Sequence, residues 1–299
     1  LFIIYFLCAA SIPVDYPNLF LMAPIGIYAL GWIINSELEN KKITINIKPI
    51  YVFSFLGLLL PLVFFFWFNY NSYGDPLQFS GTVGSVAEID ASGKPTTSRV
   101  INLERVDEYL DPEKQEKSAV GFFETRDMVN GLFIHIFSPD RGIIYFTPVI
   151  LLGLIGIYFA TKANIKLAPV IVAVISANLI LYSMWGDPWG GWAFGSRYLI
   201  PSYALLSIFL GYLLSKYSHN ILLLTLFLVL CFYSVRVNTI GALSTSAVPP
   251  KVQVLELERI SGKVQKYNYE RGFDLLKNGN SKSFFYNTYL SSSVSAMDY

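Results

Sequence analysis

Ile50-Tyr-Val-Phe-Ser-Phe-Leu-Gly-Leu-Leu-Leu-Pro-Leu-Val-Phe-Phe-Phe-Trp-Phe68 runs without one charged side chain. A helix of that length rises about 30 Å, the thickness of a bilayer's hydrocarbon core. A barrel strand would alternate polar and apolar residues, and this stretch does not. Six other runs share its character: Leu1–Ala10, Leu19–Ile34, Ile143–Ala160, Leu167–Trp185, Tyr198–Ser215 and Asn220–Val237. Charged residues make up only 14% of the chain, against roughly 25% in soluble domains. The pattern predicts an all-α polytopic membrane protein with about seven transmembrane helices.

The connections give these spans a direction. Lys41, Lys42 and Lys48 lie after the second run, Lys162 and Lys166 after the fourth, and Lys216 with His219 after the sixth. If every run spans, all three connections share one side, and short lysine-bearing loops are retained in the cytoplasm. Ser11–Asn18, Asn69–Gly142, Gly186–Arg197 and the tail after Asn238 then lie outside. Residues 1–68 form three helices, 69–142 an extracytoplasmic segment, 143–238 four more helices, and 239–299 an extracytoplasmic polar tail. Within the long segment, Ser85–Asp90 and Thr97–Leu103 have strand character and Glu104–Lys117 helix character, a small α+β insertion. Val120–Phe137 is amphipathic and reads either as an interfacial helix or as a helix packed over the bundle. Leu1 is not methionine, and no basic segment precedes Leu1–Ile12, unlike a signal peptide. The chain reads as cut inside a membrane helix.

Residues able to do chemistry gather at the outer ends of the spans. Trp185-Gly-Asp-Pro-Trp189-Gly-Gly-Trp192-Ala-Phe-Gly195-Ser-Arg197-Tyr198 combines tryptophans, glycines, an acid and a base. Glycines let a backbone approach a ligand closely, flat rings suit sugar faces, and an arginine fork suits a phosphate. An interfacial aromatic belt would supply the tryptophans but not the glycines, Asp187 or Arg197. Asn69-Tyr-Asn-Ser-Tyr73-Gly-Asp75-Pro76 follows the third run and also reads as a turn. Ser138-Pro-Asp140-Arg141-Gly142 precedes the fourth, where Pro148 should bend the helix. Asp15-Tyr16-Pro17 completes the set, and as a local feature it reads as a helix turn.

Several classes are excluded or disfavoured. A net charge of +1 gives no footprint for nucleic acid. Cys8 and Cys231 sit inside apolar runs and suggest no disulfide framework. No charge lies mid-span, as proton and ion pathways usually require, apart from Arg236 near an outer end. His135 and His219 are isolated in the sequence, which argues against a histidine metal site. No phosphate loop, HExxH, GxSxG or CxxC motif occurs.

In their order, these clusters resemble the bacterial relatives of the dolichyl-phosphate-mannose protein mannosyltransferases, membrane glycosyltransferases of the GT-C fold. The resemblance rests on Asp15-Tyr-Pro17, Asn69-Tyr with Gly74-Asp-Pro76, Ser138-Pro-Asp-Arg-Gly142 with Tyr145 and Pro148, and Trp189-Gly-Gly-Trp192 with Phe194-Gly-Ser-Arg-Tyr198 and Pro201. It implies transfer of a sugar from a polyprenyl-phosphate donor to a protein, lipid or glycan acceptor, on the outer face of a bacterial inner membrane. A divalent metal ion is left open as cofactor. It also implies a carboxylate base in a first outer loop, here upstream of Leu1. Within the chain, Asp187, Asp140 and Asp75 are the candidate acids. Arg197 and Arg141 are candidates for the lipid phosphate, and Trp189, Trp192, Tyr198, Tyr73 and Asn69 for the sugar or prenyl chain. Two other readings stay open: a non-catalytic membrane scaffold or lipid-binding subunit, and a transporter or flippase of lipid-linked sugars.

Overall fold

The computed structural model describes residues 1–39, 42–47, 49–77, 123, 125–138, 141–186, 190 and 194–243. The expected insertion Ser85–Lys117 and the tail Ser244–Tyr299 lie outside these residues. Each of the seven apolar runs is helical. The first group comprises α1 (Phe2–Ala10), α2 (Asn18–Ile33) and α3 (Pro49–Tyr73). A short helix, α4 (Met128–Ile136), and a single turn, α5 (Ile143–Phe146), lead to α6 (Leu152–Lys162), α7 (Ala168–Ser183), α8 (Ile200–Lys216) and α9 (Ile221–Leu243).

Three of these stretches are long and apolar enough to cross a membrane: Pro49–Tyr73, Arg197–Lys216 and Ile221–Thr239. Asn18–Ile33, Pro148–Lys162 and Ala168–Ser183 are apolar but shorter. The surfaces agree with a membrane setting. Leu60, Phe64 and Trp67 on α3, and Leu222, Val229 and Phe232 on α9, are all exposed. Holding each such side chain in water rather than hydrocarbon costs roughly 1.5–3 kcal/mol, and a contiguous face of them requires an apolar cover.

Glycines set the closest helix contacts. A Cβ on Gly153 would collide with the carbonyl oxygen of Leu206, and one on Gly156 with that of Phe209. The backbones of α6 and α8 therefore touch over successive turns and run in the same direction. Small residues at such seams permit the close van der Waals packing that joins helices in lipid. Gly57 makes the same kind of contact with Phe2, joining α3 to α1. Around the α6–α8 seam, Ile150, Leu152, Ile175, Leu206, Phe209 and Leu213 form the main core.

Pro148 bends the chain as its missing N–H requires. The helix breaks at Thr147 (φ −145°, ψ 54°) and restarts through the 3-10 turn Pro148–Leu151. Side chains of α9 satisfy the freed backbone groups: Asn238 Nδ2 donates to the Phe146 carbonyl (2.9 Å), the Tyr233 hydroxyl to that of Tyr145 (3.0 Å), and the Val149 amide to Ser234 Oγ (3.4 Å). Neighbouring helices must serve irregular backbone in this way where water is absent.

Two expectations change. The connection Asn35–Lys48 contains an antiparallel pair, β1 (Ile34–Glu39) and β2 (Lys42–Ile47), with Ile34 opposite Ile47 and Glu39 opposite Lys42. The chain is thus mostly helical rather than all-α. The cause is local: Lys42-Ile-Thr-Ile-Asn-Ile47 alternates β-branched and polar residues with the period of a strand. Within the amphipathic segment Val120–Phe137, the described residues form a helix over Met128–Ile136, after the 3-10 turn Thr125–Asp127. Gly131 lies directly against the backbone of Ser183, so this helix packs on α7.

Candidate functional site

The site is built where α7 ends and α8 begins. Asn178, fully buried in α7, donates from Nδ2 to the Tyr198 carbonyl (3.1 Å) and to Ser202 Oγ (2.8 Å). These bonds fasten the 3-10 turn Arg197–Leu199 to the neighbouring helix. The Tyr198 ring then lies flat on Tyr182, with centroids 4.3 Å apart and planes inclined by 6°. The exposed guanidinium of Arg197 sits 5.2 Å from the Tyr198 ring centre. A cation over an aromatic face is held there by the ring quadrupole.

Gly190 supplies the close backbone approach that its residue type allows. Its φ is +71°, a conformation that costs other residues, and a Cβ there would press on the Arg197 side chain and the Tyr198 ring. Gly195 (φ +63°) turns the chain toward Ser196 and Arg197. Trp189, Trp192 and Asp187, expected beside them, lie outside the described residues, as does Asp140.

A carboxylate reaches this cluster from far away in sequence. The Tyr182 hydroxyl donates to Asp15 Oδ2 at 3.4 Å. Asp15 is exposed in the turn between α1 and α2, which Asn18 braces by donating from Nδ2 to the Ser11 carbonyl (2.9 Å). An acid, two stacked phenols and a guanidinium thus form one connected cluster, with the Tyr182 ring buried and Asp15 and Arg197 exposed at its ends. Phe123, packed edge-on against Trp185 at 5.5 Å, borders it.

His135 supports the cluster from below. It is fully buried, with Nε2 3.2 Å from the Tyr182 carbonyl and Nδ1 3.1 Å from Ser196 Oγ. Ser196 Oγ also lies 2.8 Å from the Arg141 carbonyl, and its single hydroxyl proton serves one of these two acceptors at a time. A carbonyl only accepts, so the proton belongs on Nε2. Burial disfavours the imidazolium and lowers the His135 pKa to about 4, against the opposing effect of the Tyr182 hydrogen bond. The ring is therefore neutral at neutral pH and ties α4 to the α7–α8 junction.

The remaining expected residues separate. Arg141 is 3% exposed, so of the two arginines only Arg197 presents its side chain at the surface. Asn69, buried at the end of α3, donates from Nδ2 to the Pro76 carbonyl (3.2 Å). Asp75 Oδ1 accepts from the Leu77 amide (2.9 Å). Gly74, with φ +79°, ends the helix. Asn69 and Asp75 thus shape a helix end, and Tyr73 is exposed beside them. Among the described residues, no three His, Cys, Asp or Glu side chains gather to hold a metal ion.

Asp15, Tyr182 and His135 join the site without having stood out as site residues in the sequence. Only the oddity of Asp15-Tyr-Pro17 in an outer turn signals the first. Tyr182 and His135 sit in apolar helical sequence and carry no local signal. Comparison with known proteins adds nothing to the geometry: no family model, curated protein or solved structure matches this chain.

Proposed function

We propose that this chain belongs to a membrane glycosyltransferase that takes its sugar from a polyprenyl-phosphate donor. The observation that carries the reading is the Asp15–Tyr182–Tyr198–Arg197 cluster, whose two ends are exposed. An exposed guanidinium on an aromatic face suits the phosphate of a lipid-linked sugar, and charge there would stabilise the departing phosphate. An exposed carboxylate at the other end of the same cluster is placed to take a proton from an acceptor hydroxyl as the glycosidic bond forms. The resemblance of the outer-loop clusters to the mannosyltransferase relatives supports the same chemistry. In this reading the seven helical runs all span. The lysine-bearing connections face the cytoplasm of a bacterial cell, and the site opens on the opposite side of the inner membrane.

The test is transfer by the full chain in membranes, using a panel of radiolabelled polyprenyl-phosphate hexoses and following released polyprenyl phosphate. Arg197→Ala should lower turnover by about a hundredfold, the scale of losing one electrostatic stabiliser of a developing charge. Equal turnover in the variant removes Arg197 from the site. Absence of transfer from every donor by the unaltered protein overturns the function.

A further inference from the structure

The opposite end of the bundle carries a second constellation, and it stands independently of the transferase reading. Lys216 closes α8 with its ammonium 5.0 Å from the Phe159 ring centre, 5.7 Å from that of Tyr217 and 5.9 Å from that of Tyr212. Phe159 and Tyr217 meet edge to face at 4.9 Å. A flexible lysine stem is thereby held against three rings instead of roaming in solvent. The register of the glycine seam brings a second cation alongside. Gly153 faces Leu206 and Gly156 faces Phe209, and the same register carried to the helix ends sets Lys162 level with Ser215 and Lys216. Lys166 follows in the short connection to α7, and all three lysines are exposed.

Two of these cations have an ordinary explanation. Lys162 and Lys216 lie in the last turns of α6 and α8 and complement the helix dipoles. The bias that keeps lysines in cytoplasmic loops accounts for all three lying at this end, but neither effect accounts for the ring cage around Lys216. Among the described side chains, the carboxylates Asp15 and Asp75 both lie at the far end, and none lies beside these lysines. Among the described side chains, the cluster is therefore a cationic rim on aromatic side chains, at the end of a helix, Arg197–Lys216, that is long enough to cross a bilayer.

We propose that Lys162, Lys166 and Lys216 form a binding site for the headgroup of an anionic phospholipid. The ammonium groups meet the phosphate, and Phe159, Tyr212 and Tyr217 lie against the glycerol and upper acyl region, where amphipathic rings are favoured. Each lysine near an anionic membrane surface adds to the attraction. The combined effect is a site that selects headgroup charge rather than acyl chain.

The experiment uses the full chain in detergent, titrated with phosphatidylglycerol or phosphatidylcholine, with bound lipid counted by native mass spectrometry. The unaltered protein should retain phosphatidylglycerol about tenfold better than phosphatidylcholine. The triple variant Lys162→Gln, Lys166→Gln, Lys216→Gln should retain the two alike. The triple arginine variant, which keeps charge and cation–π contact, should restore the preference and show that folding is intact. A glutamine variant that still prefers phosphatidylglycerol, or an unaltered protein with no preference, overturns the site. So does displacement of the bound lipid by millimolar glycerol phosphate, because the site would then take a free phosphate and not a membrane lipid.

Discussion

The rings of Tyr182 and Tyr198 lie face to face, 4.3 Å apart and almost parallel, although one is in the last turn of α7 and the other in the 3-10 turn that leads into α8. The stack holds Arg197 on one side and carries a hydroxyl toward Asp15 on the other. Its two halves can be separated by substitution. Tyr182→Phe keeps the rings and removes one long hydrogen bond, a loss of about 1 kcal/mol or about fivefold in kcat/KM. Tyr198→Ala removes the ring that orients the guanidinium, and the aromatic pair and cation–π contact together contribute about 1–2 kcal/mol beyond burial. Transfer should fall about five- to thirtyfold, mostly in KM for the lipid-linked donor. An unchanged KM in Tyr198→Ala would show that the stack does not orient Arg197 for binding.

The glycine seam gives a prediction about stability. Gly156→Ala places a methyl group on the Phe209 carbonyl and forces α6 away from α8. Overpacking of this kind costs about 1–3 kcal/mol. Gly211, also in α8, has open space around it, with nothing within 4 Å of where an added methyl would sit. Gly211→Ala should therefore leave the thermal midpoint in detergent unchanged or raise it slightly, since alanine favours helix. The contrast between the two substitutions, measured side by side, tests the seam itself. Equal midpoints for both variants would mean that the helices do not touch there.

Helix positions are legible in the sequence because charge-free runs leave the chain few ways to satisfy its backbone in an apolar setting. The Pro148 bend is legible for a local reason, its missing N–H. Arg197 and Tyr198 can be read as a pair because they adjoin each other and follow Gly195. The Asp15–Tyr182 contact cannot, because its partners are far apart along the chain and Tyr182 resembles any interfacial tyrosine. The hairpin β1–β2 is hidden by its lysines, which suggest a loop, although Ile43, Ile45 and Ile47 already alternate. His135 stands alone in the sequence. Only tertiary packing puts it beside Ser196 and the Tyr182 carbonyl.

That burial makes His135 the group through which pH should act on the fold. Its pKa is about 4 in the folded chain, against about 6.5 in an unfolded one. The unfolded state therefore binds more protons between these values, and stability falls as pH is lowered through that window. Above about pH 6.5 both states are neutral and the histidine contributes no dependence. The full effect is of the order of 3 kcal/mol, spread over the interval. Below about pH 4 both states are charged and its contribution levels off. Thermal midpoints in detergent should thus drop between pH 7 and pH 5 in the unaltered protein. His135→Gln can still donate to the Tyr182 carbonyl but cannot take up a proton, so its midpoint should vary less over the same range. A variant that follows the unaltered protein throughout would place the acid sensitivity in another group.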